Sequence, residues 1–134
     1  MPDVMQLEIA TPERLLLRED VSDVQLPGKD GYLGILPGHA PLLGQLGTGF
    51  LSYQAGSHRH YLSVHGGFIE VLPDHVRVLA DEAERAEEID VERARAELRK
   101  AQEQVTNPAV GVDPAAALDA LLHAQARVDA AEKK

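Results

Sequence analysis

The chain is expected to adopt an α+β fold, an N-terminal antiparallel β-sandwich followed by a C-terminal antiparallel two-helix hairpin. Three observations predict it. Residues 1–80 hold ten of the eleven glycines and four alanines, whereas residues 81–134 hold one glycine and fourteen alanines. Glycine with β-branched residues and turns marks sheet, and alanine with charged residues marks helix. The first half carries short runs of period two, one face in and one out, and the second carries apolar stripes at helical spacing. The expected segments are a sandwich over 1–84 and a hairpin over 85–134.

In chain order, Met5 to Ile9 and Val21 to Leu26 alternate as strands. The stretch from Pro27 to Leu43 packs four glycines and three prolines around an apolar strand core, a composition that places backbone. Tyr32 to Leu36 runs as a strand between Gly31 and Gly38, and a second extended piece ends at Leu43. Gly47-Thr48-Gly49 reads as a turn. Strands follow at Phe50–Tyr53, Tyr61–Val64, Phe68–Val71 and Val76–Leu79, broken by Gln54-Ala55-Gly56-Ser57, Gly66-Gly67 and Leu72-Pro73-Asp74-His75. Turns at this spacing suggest a sandwich or barrel.

The acidic run Asp81 to Glu88 opens the α half. Asp90 then sits where an N-cap belongs, and Val91, Ala94, Leu98, Ala101 and Val105 form one narrow apolar stripe. After a breaker from Thr106 to Val112, Asp113-Pro114 supplies a cap and a proline at the first helical position. Ala117, Leu121, Ala124, Val128 and Ala131 repeat the stripe, with Leu118 and Leu122 widening it. Two alanine-rich stripes bury little area, gaining only a few kcal/mol at roughly 25 cal/mol per Å² against the entropy of ordering both helices. The hairpin must therefore dock, on its own sandwich or on another protein. A small difference between those options is the regime of a conformational switch.

Composition narrows the function. The net charge is −9, of which −4 lies before Asp81 (5 basic, 9 acidic) and −5 from it onward (8 basic, 13 acidic). No basic face suits nucleic acid or an anionic bilayer, so protein partners remain. The chain has no cysteine, which removes disulfides and thiolate metal sites. The N-terminal residues show neither a signal peptide nor a membrane anchor, so no direct membrane insertion is expected.

The search for chemistry yields no catalytic residue. His58 and His60 share a strand face beside a turn without an evident third ligand, so no metal site is expected. His39 and His65 sit beside glycines, as turn residues do, and His75 follows Pro73-Asp74. The four serines lie in no Gly-x-Ser-x-Gly elbow, and neither a phosphate-binding loop nor a dinucleotide fingerprint occurs. With two phenylalanines and three tyrosines, no deep aromatic cofactor pocket is indicated.

Three ordered motifs carry a resemblance covering the whole chain: Gly31-Tyr32-Leu33-Gly34-Ile35-Leu36-Pro37-Gly38-His39-Ala40-Pro41-Leu42-Leu43, then Gly66-Gly67-Phe68-Ile69-Glu70-Val71 with Val76-Arg77-Val78-Leu79-Ala80, then Ile89-Asp90-x-x-Arg93-Ala94. The chain resembles the epsilon subunits of bacterial F-type ATP synthases. The resemblance implies a non-catalytic central-stalk subunit that couples proton-driven rotation to ATP synthesis and restrains ATP hydrolysis, peripheral on the cytoplasmic face of the cell membrane. It implies as partners a gamma subunit, a c-subunit ring and the catalytic alpha and beta subunits.

By the same resemblance, Gly31, Tyr32, Leu33, Gly34, His39, Ala40 and Pro41 would meet gamma and the ring, with Tyr32 standing where the family commonly carries an acid. Arg93, Arg95, Arg99 and Lys100 are candidates for meeting an acidic segment of the beta subunit, or else form a solvated helix face with Glu92, Glu97 and Glu103. Some relatives bind ATP between the folded helices. Here Asp90, Arg93 and Arg127 match that pattern, while His123 replaces an expected arginine and with it a bidentate phosphate partner. The expectation is therefore no obligate cofactor, with regulatory ATP as the alternative.

Overall fold

The computed structural model describes residues 3–133; Met1, Pro2 and Lys134, at the outer ends of the two expected segments, lie outside the described residues. Seven strands form one sheet folded over itself: β1 (Met5–Ala10), β2 (Leu15–Val21), β3 (Asp23–Gly28), β4 (Gly31–Ile35), β5 (Leu42–Ala55), β6 (His58–Val71) and β7 (His75–Arg85). Their order is β2-β1-β7-β6-β5-β3-β4. Every pairing is antiparallel except that of β1 with β7, where the first strand lies parallel to the last. The fold-over is fixed by Tyr53 on β5, whose hydroxyl donates to the Glu19 carboxylate on β2 at 3.1 Å. The Arg85 guanidinium also donates to the Leu16 carbonyl at 3.0 Å.

Alternation places Met5, Leu7 and Ile9 of β1 inward, where they join Val24, Leu26, Leu51, Val64, Val71, Val76 and Val78 in a single apolar core. Burial in that core and the phenol's neighbour Glu19 push the Tyr53 hydroxyl up to about 12.

The structure corrects several sequence expectations. Gly47-Thr48-Gly49 is no turn but the middle of β5, and the Gly66-Gly67 break lies inside the continuous β6, which puts His65 in a strand as well. Close approach, not reversal of the chain, is what these glycines serve. A Cβ on Gly47 would come within 2.9 Å of the Gly28 carbonyl, and one on Gly67 (φ +125°) would collide with the Leu79 carbonyl. The acidic run from Asp81 continues β7 to Arg85 before a 3-10 turn at Ala86–Glu88. β2 was not anticipated, because Leu15-Leu16-Leu17-Arg18-Glu19-Asp20 does not alternate.

The helices are α1 (Val91–Thr106) and α2 (Pro114–Lys133). Both caps form as expected: Asp90 accepts from the Arg93 amide at 3.2 Å and Asp113 from the Ala115 amide at 3.2 Å. α2 lies between α1 and the outer face of β5 and β6. It therefore buries two faces, and Ala126 and Ala130 join the expected Ala117, Ala124, Val128 and Ala131. Leu118 and Leu122 do not widen the buried stripe; they are half exposed on the remaining side.

Candidate functional site

Two surfaces assemble from these elements. The first is the edge formed by β4 and the loop behind it. β3 and β4 pair from Val24 with Ile35 to Gly28 with Gly31, which leaves the other edge of β4 open. Tyr32 turns toward the sandwich: its hydroxyl accepts the Phe50 amide at 3.2 Å and its ring tilts against Phe50 at 5.5 Å. Burial raises its hydroxyl above the usual phenol range. Gly49 leaves the room this requires, since a Cβ there would lie 2.6 Å from the Tyr32 hydroxyl.

Gly31, Tyr32 and Leu33 line a shallow groove of about 370 Å³ with Leu42 to Gln45. Gly34 lies beyond it on β4. His39 and Ala40 sit in the loop, which is tied back by the Gly38 amide to the Pro73 carbonyl at 2.8 Å, while Pro41 borders a second groove with Leu43 and Glu70. Leu36 and Leu43 stand out from this end at 63% and 79% exposure, a pair of large apolar side chains open to solvent.

The second surface is the cradle that holds α2. Period two puts Thr48 and Phe50 of β5, Ser63 and His65 of β6, and Glu82 and Glu84 of β7 on one outer face, with Thr48 opposite His65 and His65 opposite Glu82. α2 answers with polar groups. Arg127 donates to Glu84 at 2.7 Å and to Glu97 of α1 at 2.5 Å, clasping helix, helix and sheet. His123 meets Glu82 at 3.2 Å, His65 meets Asp119 at 3.2 Å, and the two imidazoles stack at 4.4 Å. Lys133 lies over the Phe50 ring at 4.8 Å. Reading the sequence missed Glu82, Glu84, Glu97, Phe50 and His65 as cradle residues. The alternation of Ser63, His65, Glu82 and Glu84 would have signalled the β6 and β7 residues among them once β7 was extended through its acids.

The basic residues of α1 divide. Arg93 pairs with Glu97 at 3.2 Å, and Arg95 with Glu132 at 2.8 Å and Glu92 at 3.1 Å. Among the described residues, Arg99 and Lys100 have no ion pair, and Lys100 borders the cleft between the helices. That cleft, of about 640 Å³, is lined by Glu84, Glu97, Gln104, His123 and Arg127 together with alanines. Of the three residues weighed for ATP, only Arg127 lines it. Arg93 and Arg127 are bridged by opposite oxygens of Glu97, so a protein carboxylate already stands between the two guanidiniums, and Asp90 is engaged as the helix cap.

His58 lies beside Ser57 and His60 stacks on Tyr53 at 5.0 Å. Among the described residues no group of three or more His, Cys, Asp or Glu converges as a metal site would require. No described helix is long and apolar enough to cross a membrane.

A sandwich that folds its own helical hairpin against one face, with open grooves and apolar side chains at one end, belongs to the class of docking subunits, whose work is done by surfaces. The family description of the ATP synthase Delta/Epsilon chain beta-sandwich domain matches residues 4–86, and that of its long alpha-helix domain matches residues 87–132. The chain belongs to the ATP synthase delta/epsilon chain family, whose members are non-catalytic stalk subunits of the F-type enzyme. It is 62% identical to the ATP synthase epsilon chain of Solibacter usitatus over 134 residues, all of both chains. To that of Desulforamulus reducens it is 43% identical, over 98% of this chain and 100% of the relative. Among solved structures it is similar to a chain of the Euglena gracilis mitochondrial ATP synthase, seen as an OSCP/F1/c-ring assembly, with a TM-score of 0.84 at 26% identity, covering 98% of this chain and 83% of that one.

Proposed function

We propose that the chain acts in the central stalk of a bacterial F-type ATP synthase through two separable surfaces. The β4 end, with Gly31 to Gly34 and His39 to Pro41, seats the sandwich on the gamma subunit and the c ring. The hairpin alternates between the folded position and an extended one that reaches the alpha and beta subunits, where Arg99 and Lys100 are available to acidic partners and Arg93 and Arg95 become so once their own carboxylates are released. In this reading the subunit couples proton-driven rotation to ATP synthesis and restrains hydrolysis, and it is held at the cytoplasmic face of the cell membrane through the complex.

The observation that carries the reading is the nature of the cradle. α2 rests on the sheet through alanines, histidines and ion pairs, contacts that water can replace, whereas the sandwich beneath is closed over leucine, valine and isoleucine. We assign no nucleotide to the cleft, because Glu97 occupies the position between Arg93 and Arg127. The test is truncation after Glu88 in the assembled complex. The shortened chain should still co-purify with gamma while the ATPase rate rises. An unchanged rate would sink the brake, and loss of gamma binding would sink the division of labour.

A further inference from the structure

His65 and His123 face one another across the cradle, one on β6 and one on α2, and the stalk reading uses them only as contacts, not as titrating groups. Their rings are stacked with centroids 4.4 Å apart and planes 13° from parallel. Each ring has its own polar partners. His65 Nδ1 lies 2.8 Å from the Thr48 hydroxyl of β5, and His65 Nε2 lies 3.2 Å from Asp119 of α2. His123 Nε2 lies 3.2 Å from Glu82 of β7. Also facing the pair are Glu84 of β7, Arg127 of α2, and Glu97 and Lys100 of α1 across the cleft.

We infer that the stacked His65 and His123 rings form an acid-sensitive catch, which holds α2 on the sandwich while both are neutral and releases it as pH falls. The hydrogen bonds fit a neutral pair. With its proton on Nε2, His65 donates to Asp119 and accepts from the Thr48 hydroxyl, and His123 with its proton on Nε2 donates to Glu82. A proton added to one ring stays on that ring, because the stacked imidazoles direct their bonded nitrogens at Thr48, Asp119 and Glu82 and not at each other. A second sets two imidazolium ions face to face in a half-buried interface, beside the fixed charge of Arg127.

The balance of neighbours runs in the same direction. Burial, then His65, then Arg127 hold the His123 imidazole below its ordinary range, against the opposing pull of Glu82 and Glu84. A histidine whose pKa is depressed in the docked state binds fewer protons there than after release. Docking is therefore at full strength above pH 6.5, the ordinary value, and weakens as pH falls from there through the depressed value. Over that interval the docking equilibrium shifts toward release by up to about ten-fold per pH unit for each extra proton bound. Ser63 Oγ, buried on the same face of β6, has no hydrogen-bond partner among the described residues, so the docked state also carries a polar atom that gains nothing from closure.

The catch concerns docking alone; its effect on ATPase rate rests on the brake reading. The absence of cysteine lets two introduced thiols report cleanly. In the full chain with Ser57→Cys and Gln125→Cys, spin labels should give one narrow distance distribution at pH 8, and a growing second population between pH 6.5 and pH 5.5. The same chain carrying His65→Gln and His123→Gln should give the same distribution at both ends of that range. A parent distribution unchanged from pH 8 to pH 5.5 overturns the catch, and so does a pH response that survives loss of both histidines. Should the double variant fail to fold, histidine proton NMR of the parent decides: a His123 titration at or above pH 6.5 in the docked chain overturns the proposal. A pH-insensitive hairpin with an intact truncation effect removes the catch only. A pH-driven release without any truncation effect removes the brake only.

Discussion

The sandwich and the docked hairpin are held by different means. In the sandwich, nineteen buried apolar residues make one core, reaching from Met5 of β1 to Ala80 of β7. Under the helices, the second cluster has five buried residues, of which three are alanines. Phe50, Val91 and Leu98 pack against it, and polar contacts supply much of the rest of the attachment to the sheet: Arg127 to Glu84, and the histidine pair with its carboxylates, while Arg127 to Glu97 and Arg95 to Glu132 tie the two helices together. Burial of large apolar side chains gives cooperative, pH-indifferent stability, whereas partly solvated charge pairs give attachment that salt and protons can loosen. One chain thus contains a scaffold and a removable part.

The largest expected effect strikes the scaffold. Leu51 is fully buried on β5, and Leu51→Ala should cost about 2–5 kcal/mol by loss of transfer energy and creation of a cavity. Urea denaturation followed by circular dichroism should show the whole chain unfolding at a lower midpoint, helices included, because α2 has no sheet to rest on once β5 is lost. A helical transition that stayed in place while the sheet transition moved would break the comparison.

A smaller change at the clasp should separate the two regions. Arg127 is 19% exposed and satisfies carboxylates on β7 and α1 at once, so Arg127→Met removes charge-assisted bonds and leaves Glu84 and Glu97 facing each other. We expect about 2 kcal/mol less docking with an unchanged sandwich. Amide exchange should accelerate along α2 and at the ends of Ser63 to His65, while the amides of β1 and β3 keep their protection. Because Arg127 also helps depress His123, this variant should titrate His123 at a higher pH than the parent.

The contrast also explains what could be read from sequence. Strands such as Met5 to Ala10 declare themselves because burial alternates along them, and both helix caps follow from Asp90 and Asp113. β7 was legible only as far as the apolar alternation lasted. Beyond Ala80 its outward residues Glu82 and Glu84 look like a solvated linker until His123 and Arg127, some forty residues later, are brought against them. The Gly31 to Leu43 segment was recognisable as a backbone-placing loop, but the inward turn of Tyr32 onto the Phe50 amide depends on the absence of a side chain at Gly49, a long-range fact. Leu118 and Leu122 were misplaced because periodicity gives the width of an apolar face and not which neighbour claims it.

The smallest effect sharpens the comparison within the hairpin itself. Asp90 accepts the Arg93 amide at 3.2 Å as the cap of α1, and its carboxylate also sits favourably at the positive end of the helix. Asp90→Ala should cost about 1 kcal/mol, confined to the first turn. The readout is faster exchange at the Arg93 amide with no change at α2, since α2 is held by Arg127 and the cradle rather than by the start of α1. If Asp90 were instead the ligand-binding acid of a nucleotide site, Asp90→Asn, which keeps a capping oxygen, should abolish ATP binding measured by calorimetry while leaving the Arg93 amide protected. A cap-only role predicts that Asn restores protection and that calorimetry is flat for parent and variant alike, because Glu97 already bridges Arg93 and Arg127 in the folded hairpin.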